Sequence, residues 1–320
     1  MHTYILKRFL LFIPTVWLVT LLIFITMRLI PGDPAIQMLM GGEIAGSPIT
    51  DEMIDAKRAE LGTDKSIPEQ YVRWVWAMAQ GDFGDSFFFN EPISETLVIR
   101  VPVTIQLAIM AQIIALAFAV PLGVFSAMKQ DTWGDYVSRI VTMFGVGIPT
   151  FFSAILMVFF LVVLADWGPP LNYATPWEDP WKNFQQMIFP ALALGFFTMA
   201  VTARMTRSAL LEVIREDYIR TARSKGLREG RVIVRHALKN ATLPVLTILG
   251  WQFAAMMAGS ITVEAVFHIP GLGRSLIDSI YHRDYAMIQG LVMVVAVMIM
   301  LVNLLVDIIY AWVDPRIRYS

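Results

Sequence analysis

The sequence contains no cysteine, which excludes disulfides, thiolate metal sites and cysteine nucleophiles. Charge is also scarce: Asp, Glu, Lys and Arg make up 16% of the 320 residues, against about 25% in soluble domains. There is no G-x-x-x-x-G-K-[ST] phosphate loop, so the chain does not bind and split ATP by that route. H-E-x-x-H and G-x-S-x-G are missing as well, and the four histidines (His2, His236, His268, His282) are scattered without ligand spacing. No nucleophile, metal cluster or acid pair marks an enzyme, and no internal repeat or low-complexity stretch interrupts the chain.

Apolar residues dominate instead, at 57% of the chain with a mean hydropathy of +0.61. Six runs carry no charge at all: 9–27, 101–128, 140–165, 183–203, 240–263 and 285–306. About 20 apolar residues cross a hydrocarbon core of roughly 30 Å, so the pattern predicts an all-α polytopic membrane protein with six transmembrane helices. The first run follows Lys7 and Arg8 but is too long for a signal-peptide core and leads into Ile30-Pro31-Gly32-Asp33-Pro34, so it reads as a retained span. Pro14, Pro121, Pro149 and Pro190 fall inside the runs, where each is expected to kink its helix unless neighbours satisfy the freed carbonyls.

Charge by segment sets the orientation. Segment 204–239 carries ten Lys/Arg against four acids, whereas segment 31–100 carries five against twelve. Basic residues accumulate on the cytoplasmic side. With six spans, Lys7 and Arg8 at one end and Arg316 and Arg318 at the other fall on the side of the basic loop, so both termini read as cytoplasmic. The chain divides into an N-terminal tip and first span (1–30), an extracytoplasmic segment (31–100) and a five-helix core (101–320) with a cytoplasmic loop at 204–243. The outer segment predicts a helix near 50–61 with Thr50 as N-cap, an amphipathic stretch at 71–78 bearing Trp74 and Trp76, and a glycine-punctuated turn at 81–86. Trp167, Trp177 and Trp181 read as interfacial anchors.

Few ionisable residues approach the spans, and those that do sit at span ends: Arg28, Glu264 and Asp307. Asp307 fits a structural ion pair, and Arg28 reads as snorkelling outward. Gln106, Gln112, Gln252 and Asn303 remain as uncharged polar positions, equally suited to inter-helix hydrogen bonds and to lining a pore. This leaves no proton relay.

The informative stretch is 212–244. Glu216 and Arg220 form a favourable i, i+4 pair, which predicts a helix ending at Gly226. Ala222 and Gly226 are four apart and suggest a face of small side chains open to a partner. A second helix is expected over 228–240, with Pro244 restarting the chain at the membrane. A loop that only set orientation, or only bound anionic lipid, would need a few basic residues and no such helix-turn-helix.

At these residues the chain resembles a known family. Asp217-Tyr218, Thr221-Ala222-Arg223, Gly226, His236-Ala237, Asn240 and Leu243-Pro244 are similar to the cytoplasmic E-A-A loop of binding-protein-dependent ABC importer permeases, with Thr221 in the first position of the triplet. Further landmarks match the dipeptide/oligopeptide/nickel subfamily, and its first permease of the pair in particular. They are Arg28-Leu29-Ile30-Pro31-Gly32-Asp33-Pro34, Gly81-Asp82-Phe83-Gly84-Asp85-Ser86, Arg100-Val101-Pro102-Val103-Thr104 and Glu264-Ala265-Val266-Phe267. Ile269-Pro270-Gly271-Leu272-Gly273, Arg283-Asp284-Tyr285 and the tail Asp314-Pro315-Arg316-Ile317-Arg318-Tyr319 complete the set.

The resemblance implies a type I ABC importer permease fold in the cell inner membrane, with an extracytoplasmic insertion after the first helix. It implies a similar second permease, two nucleotide-binding subunits that hold ATP and Mg, and an external solute-binding protein; no cofactor and no nucleic acid is implied for this chain. Coupling to the ATPase subunits would use Glu216, Asp217, Tyr218, Arg220, Thr221, Ala222, Arg223, Lys225 and Gly226. The cargo implied is di- or oligopeptide, with nickel, glutathione or oligosaccharide as alternatives on the same architecture. A stand-alone channel or proton-driven carrier is the alternative from another class.

Overall fold

The computed structural model describes residues 2–30, 32–41, 50–89, 91–168 and 172–313. Pro31 and the tail at 314–319, both named above, lie outside them. The described residues are helical apart from turns and one isolated bridge between Asp85 and Pro92. In chain order the helices are α1 (His2–Leu29), α2 (Pro34–Gly41), α3 (Asp51–Leu61), α4 (Ile67–Ala79), α5 (Ile93–Met128), α6 (Trp133–Gly147) and α7 (Thr150–Ala165). Then come α8 (Pro180–Val213), α9 (Asp217–Ser224), α10 (Glu229–Arg231), a π-helical stretch (Val232–Ala237), α11 (Leu238–Phe267), α12 (Leu272–Tyr281) and α13 (Tyr285–Val313).

Five helices are individually long and apolar enough to cross a membrane: α1, α5, α8, α11 and α13. The third charge-free run does not form the single span expected of it. It is divided between α6 and α7, which meet at 110°. Pro149 has no N–H to continue the ladder, and its ring pushes the preceding Ile148 into an extended conformation (φ −92°, ψ 123°). Pro14, Pro121, Pro190 and Pro244 are all carried inside continuous helices, so one proline in the set breaks the backbone.

The packing shows how often the broken pair crosses. At one end of the bundle Gln106 of α5 bonds Asn183 of α8. In the middle Gly195 lies against the Ala111 carbonyl, and further along Gly123 lies against Ala203 and Thr206. Residue numbers rise together, so α5 and α8 run parallel. The chain leaving Met128 must therefore return to the opposite end before Pro180, and α6 with α7 makes that single crossing. Thr202 to Gln252 and Leu194 to Gly259 set α11 antiparallel to α8, and Arg8 to Asp307 sets α13 antiparallel to α1 at 2.8 Å. The bundle has six crossings, with 214–237 at one end, the basic end, and α2–α4 and α12 at the other, the acidic end.

The α5–α8 seam explains its own closeness. Ala111, Ala115, Ala119, Gly123 and Ala127 recur every four residues on α5 and are all buried. A Cβ on Gly123 would lie 2.6 Å from the Ala203 oxygen, and one on Gly195 2.8 Å from that of Ala111. Small residues at this spacing let helix backbones approach in a setting where no hydrophobic force drives helices together. Around the seam Leu107, Met187, Ala191, Leu194, Met256 and Phe267 form the main core.

At the acidic end the expected cap is present: Thr50 Oγ1 accepts from the Met53 N–H, and α3 ends on Gly62 at φ +67°. Arg58 of α3 pairs with Asp33 at 2.6 Å. The helix expected over 71–78 begins four residues earlier, with Pro68 in its first turn. It docks on α1 through Thr20 and Tyr71 at 2.8 Å and through Trp74 on Phe24. Trp76 and Trp177 stand out at 67% and 92% exposure, as membrane-surface anchors do, whereas Trp167 packs edge-on against Phe189.

Candidate functional site

The basic end is built on one short helix. Eight residues do not sustain a helix alone in water, so α9 depends on what it buries. Ile219 is fully buried and Ala222 nearly so, at 7% exposure. Both join a cluster with Ala127 of α5, Leu210 of α8, and Val232, Ile233 and Ala237 of the π stretch. Side chains three apart share a helix face, so Ile219 carries Ala222 inward with it. The small-residue face expected to lie open at Ala222 is therefore turned into the bundle. Gly226 lies beyond the helix end, at φ +75° with open space around it. Its role is to let the chain turn, since only glycine adopts that conformation without cost.

The opposite face of α9 is the one displayed. Glu216, Asp217, Tyr218, Arg220, Thr221, Arg223 and Lys225 are all exposed. The expected Glu216–Arg220 pair is not formed, because the helix begins at Asp217 and Arg220 meets that residue instead, at 3.5 Å. Arg223 grips Glu229 with two bonds, 2.6 and 3.1 Å, across the turn at Gly226. These bonds hold the Glu229 carboxyl below the ordinary glutamate range and raise Arg223. Tyr218 accepts from the Asn240 side chain at 2.7 Å, tying α9 to α11. Arg215, Lys225, Arg228, Arg231 and Arg235 are exposed, and no acid pairs with them among the described residues. The surface is a positive rim around a ridge one helix wide.

The second helix expected over 228–240 is not a separate element. After α10 the backbone widens into the π stretch and continues through Pro244 as α11. Val232, Ile233, Ala237, Ala241 and Val245 are all buried; from Ile233 they recur every four residues, with Val232 beside the first, which fits one continuous face. That apolar face was readable in the sequence and outweighs Pro244 as a breaker.

The polar residues within the spans separate into classes. Gln106 joins Asn183 and Tyr173, and Gln252 joins Thr202 at 2.9 Å. Asp307 forms the ion pair with Arg8, and Arg28 caps the Phe24 ring at 5.3 Å. Gln112 buries both amide atoms without a partner beside an apolar groove of about 500 Å³ between α5, α11 and α13. Asn303 lies on the surface of α13.

Glu264 is the residue whose importance the charge pattern hid. It is fully buried and accepts from Thr104 Oγ1 at 2.7 Å, Gly273 N at 2.7 Å and Arg274 N at 3.3 Å. A Cβ at Gly271 would overlap its carboxylate, and one at Gly273 would overlap the Ile261 Cα. The run 269–273 is thus seated directly on the end of α11, and α12 follows from that seat. Asp284 plays a similar part for the turn at 81–89, accepting from Ser86, Phe88 and Met287.

Known proteins share this architecture. Residues 119–319 match the family described as binding-protein-dependent transport system inner membrane component, and residues 1–108 match its N-terminal membrane component. A peptide transport system permease protein of Brucella abortus (strain 2308) is 39% identical over 320 residues, all of both chains. The dipeptide transport system permease proteins DppB of Escherichia coli K12 and of Alkalihalophilus pseudofirmus are 40% and 37% identical, again over all of both chains. Among solved structures, an amino acid ABC transporter with histidines superposes with a TM-score of 0.52, covering 70% of this chain and 94% of that one at 16% identity. That likeness is one of fold.

Proposed function

The chain belongs to the binding-protein-dependent transport system inner membrane component family of ABC importer permeases, and from that premise we propose that α9 and the turn at Gly226 are where it meets an ATPase subunit. The observation that carries this is the two-faced burial of α9. Ile219 and Ala222 are rooted among residues of α5, α8 and the stretch leading into α11, while Asp217, Tyr218, Arg220, Thr221, Arg223 and Lys225 face outward. A push on the outer face is delivered to three spans at once. Closure of two ATP-bound subunits would draw this loop toward its counterpart on a second permease and bias the bundle between inward-open and outward-open states.

In this reading the basic end is cytoplasmic, both termini lie on that side, and α2–α4 with α12 receive an external binding protein. ATP and Mg belong to the ATPase subunits, and this chain holds no cofactor. The names of the relatives bring di- or oligopeptide as the cargo. The test is Gly226→Asp in the reconstituted importer. A Cβ here meets no atom of this chain, and the left-handed backbone costs a non-glycine residue about 1–2 kcal/mol, confined to this surface turn, so insertion and yield stay normal while binding-protein-stimulated ATPase activity is lost. Stimulation equal to that of the unaltered importer would remove the docking role.

A further inference from the structure

A second charged feature lies inside the bundle, between α5, α6 and α8 toward the basic end. A cavity of about 360 Å³ there is lined by Arg139, Arg204 and Arg207, with no acid in its wall. Arg207 is neutralised from behind by two bonds to Asp135, at 2.8 and 2.7 Å. Arg139 and Arg204 are exposed, and neither is paired with a carboxylate among the described residues; Arg139 has only the Tyr136 ring, at 5.8 Å. Ser126, Ser138 and Thr142 in the same wall direct their hydroxyl hydrogens into the protein, to Asp135, Gly134 and Arg139. The donors left to the cavity are the guanidinium groups of Arg139 and Arg204, the N–H groups of Arg207 not given to Asp135, and Ser208.

We infer that this cavity binds the phosphate of an anionic phospholipid from the cytoplasmic leaflet. Unpaired guanidinium groups at the cytoplasmic membrane surface attract anionic headgroups, and a phosphodiester accepts bidentate bonds from them. The mouth favours a lipid over a soluble anion. Beside it α6 presents Trp133 at 84% exposure and Met143 at 76%, with Val137, Ile140 and Phe144 also exposed. Met143 belongs both to this apolar strip and to the cavity wall, so a headgroup in the cavity lays its acyl chains along α6. Basic pockets between spans on the cytoplasmic side are known to take such headgroups. The site is independent of cargo and of the α9 surface.

The test uses the whole importer in nanodiscs of phosphatidylcholine with a few per cent phosphatidylglycerol, read by native mass spectrometry. The expected result is one phosphatidylglycerol retained per copy of this chain, with occupancy falling about fivefold in Arg139→Gln and roughly thirtyfold in the double variant with Arg204→Gln. Arg139→Lys with Arg204→Lys should recover most of the binding. A photoactivatable phosphatidylglycerol should label 137–144 in the unaltered protein, which reads the site even if the double variant fails to assemble. Equal retention of phosphatidylcholine, or labelling spread evenly over the bundle, overturns the proposal. So does displacement by millimolar glycerol phosphate, which would make this a soluble-anion site. Loss of a partner subunit from the double variant without any lipid labelling in the unaltered protein would assign the arginines to an acidic protein surface instead.

Discussion

Replacing Ile219 by alanine should uncouple the permease while leaving it in the membrane. Ile219 is fully buried, and removing three carbons from such a site costs about 2–5 kcal/mol. The cost falls on α9 alone, because the six crossings are held by other contacts. Little else restrains that helix. The Arg223–Glu229 pair is exposed and pairs of that kind contribute roughly 0–1 kcal/mol, and the Tyr218–Asn240 bond adds about 1 kcal/mol. A loss near 3 kcal/mol lowers the ratio of docked to undocked α9 by roughly a hundredfold, at 1.36 kcal/mol per decade. Hydrogen exchange of the reconstituted importer reads this directly. Amides of 217–224 should exchange about a hundredfold faster in Ile219→Ala, amides of α5 and α8 should be unchanged, and stimulated ATPase activity should fall in parallel. Exchange at 217–224 within twofold of the unaltered protein would show that Ile219 is not the anchor.

Other consequences follow from the same packing. Gly195→Val should destabilise the bundle by at least 1–3 kcal/mol, because the new Cβ meets the backbone oxygen of Ala111 at 2.8 Å; thermal unfolding of the detergent-solubilised chain measures it. Glu264→Gln places an amide donor against either the Thr104 hydroxyl or the Gly273 N–H, costing about 1–3 kcal/mol, and limited proteolysis should then cut sooner within 268–284. The Glu229 carboxyl is held low by Arg223, so its contribution is present above the ordinary glutamate range and lost as pH falls through its depressed folded value. Protection of the turn at 225–229 should therefore drop as pH is lowered from the ordinary glutamate range through that depressed value, and Glu229→Gln should remove that pH dependence.

The spans were legible because lipid imposes a strong rule: a run of 19 or more residues without charge is the length a bilayer crossing needs. The break in the third was not, since a proline within a span was expected only to kink its helix, at Pro149 as at Pro14, Pro121 and Pro190. What distinguishes it is context: Gly145 and Gly147 weaken the helix just before it, and its ring holds Ile148 extended. The basic loop was legible from its charge, and of the residues named on it for coupling all but Ala222 are exposed. Its facing was not, because an Ala222–Gly226 spacing marks a small-residue face without saying which way it turns. Ile219, three residues before Ala222, decides that direction, and the stripe Val232–Ala237–Ala241 decides that the second helix merges with α11. Glu264 was visible only as an acid near a span end. Its partners Thr104 and Gly273 come from opposite sides along the chain, one 160 residues before it.

The absence of cysteine opens the docking of α9 to one direct measurement. Single cysteines placed at Tyr218, Thr221, Lys225 or Ala222 can be cross-linked to the ATPase subunit of the assembled importer without background from this chain. Efficient cross-links are expected from the first three positions and none from Ala222, which faces Leu210 and Val232. Cross-linking from Ala222 as readily as from Thr221 would contradict the outward-facing ridge and the docking role built on it.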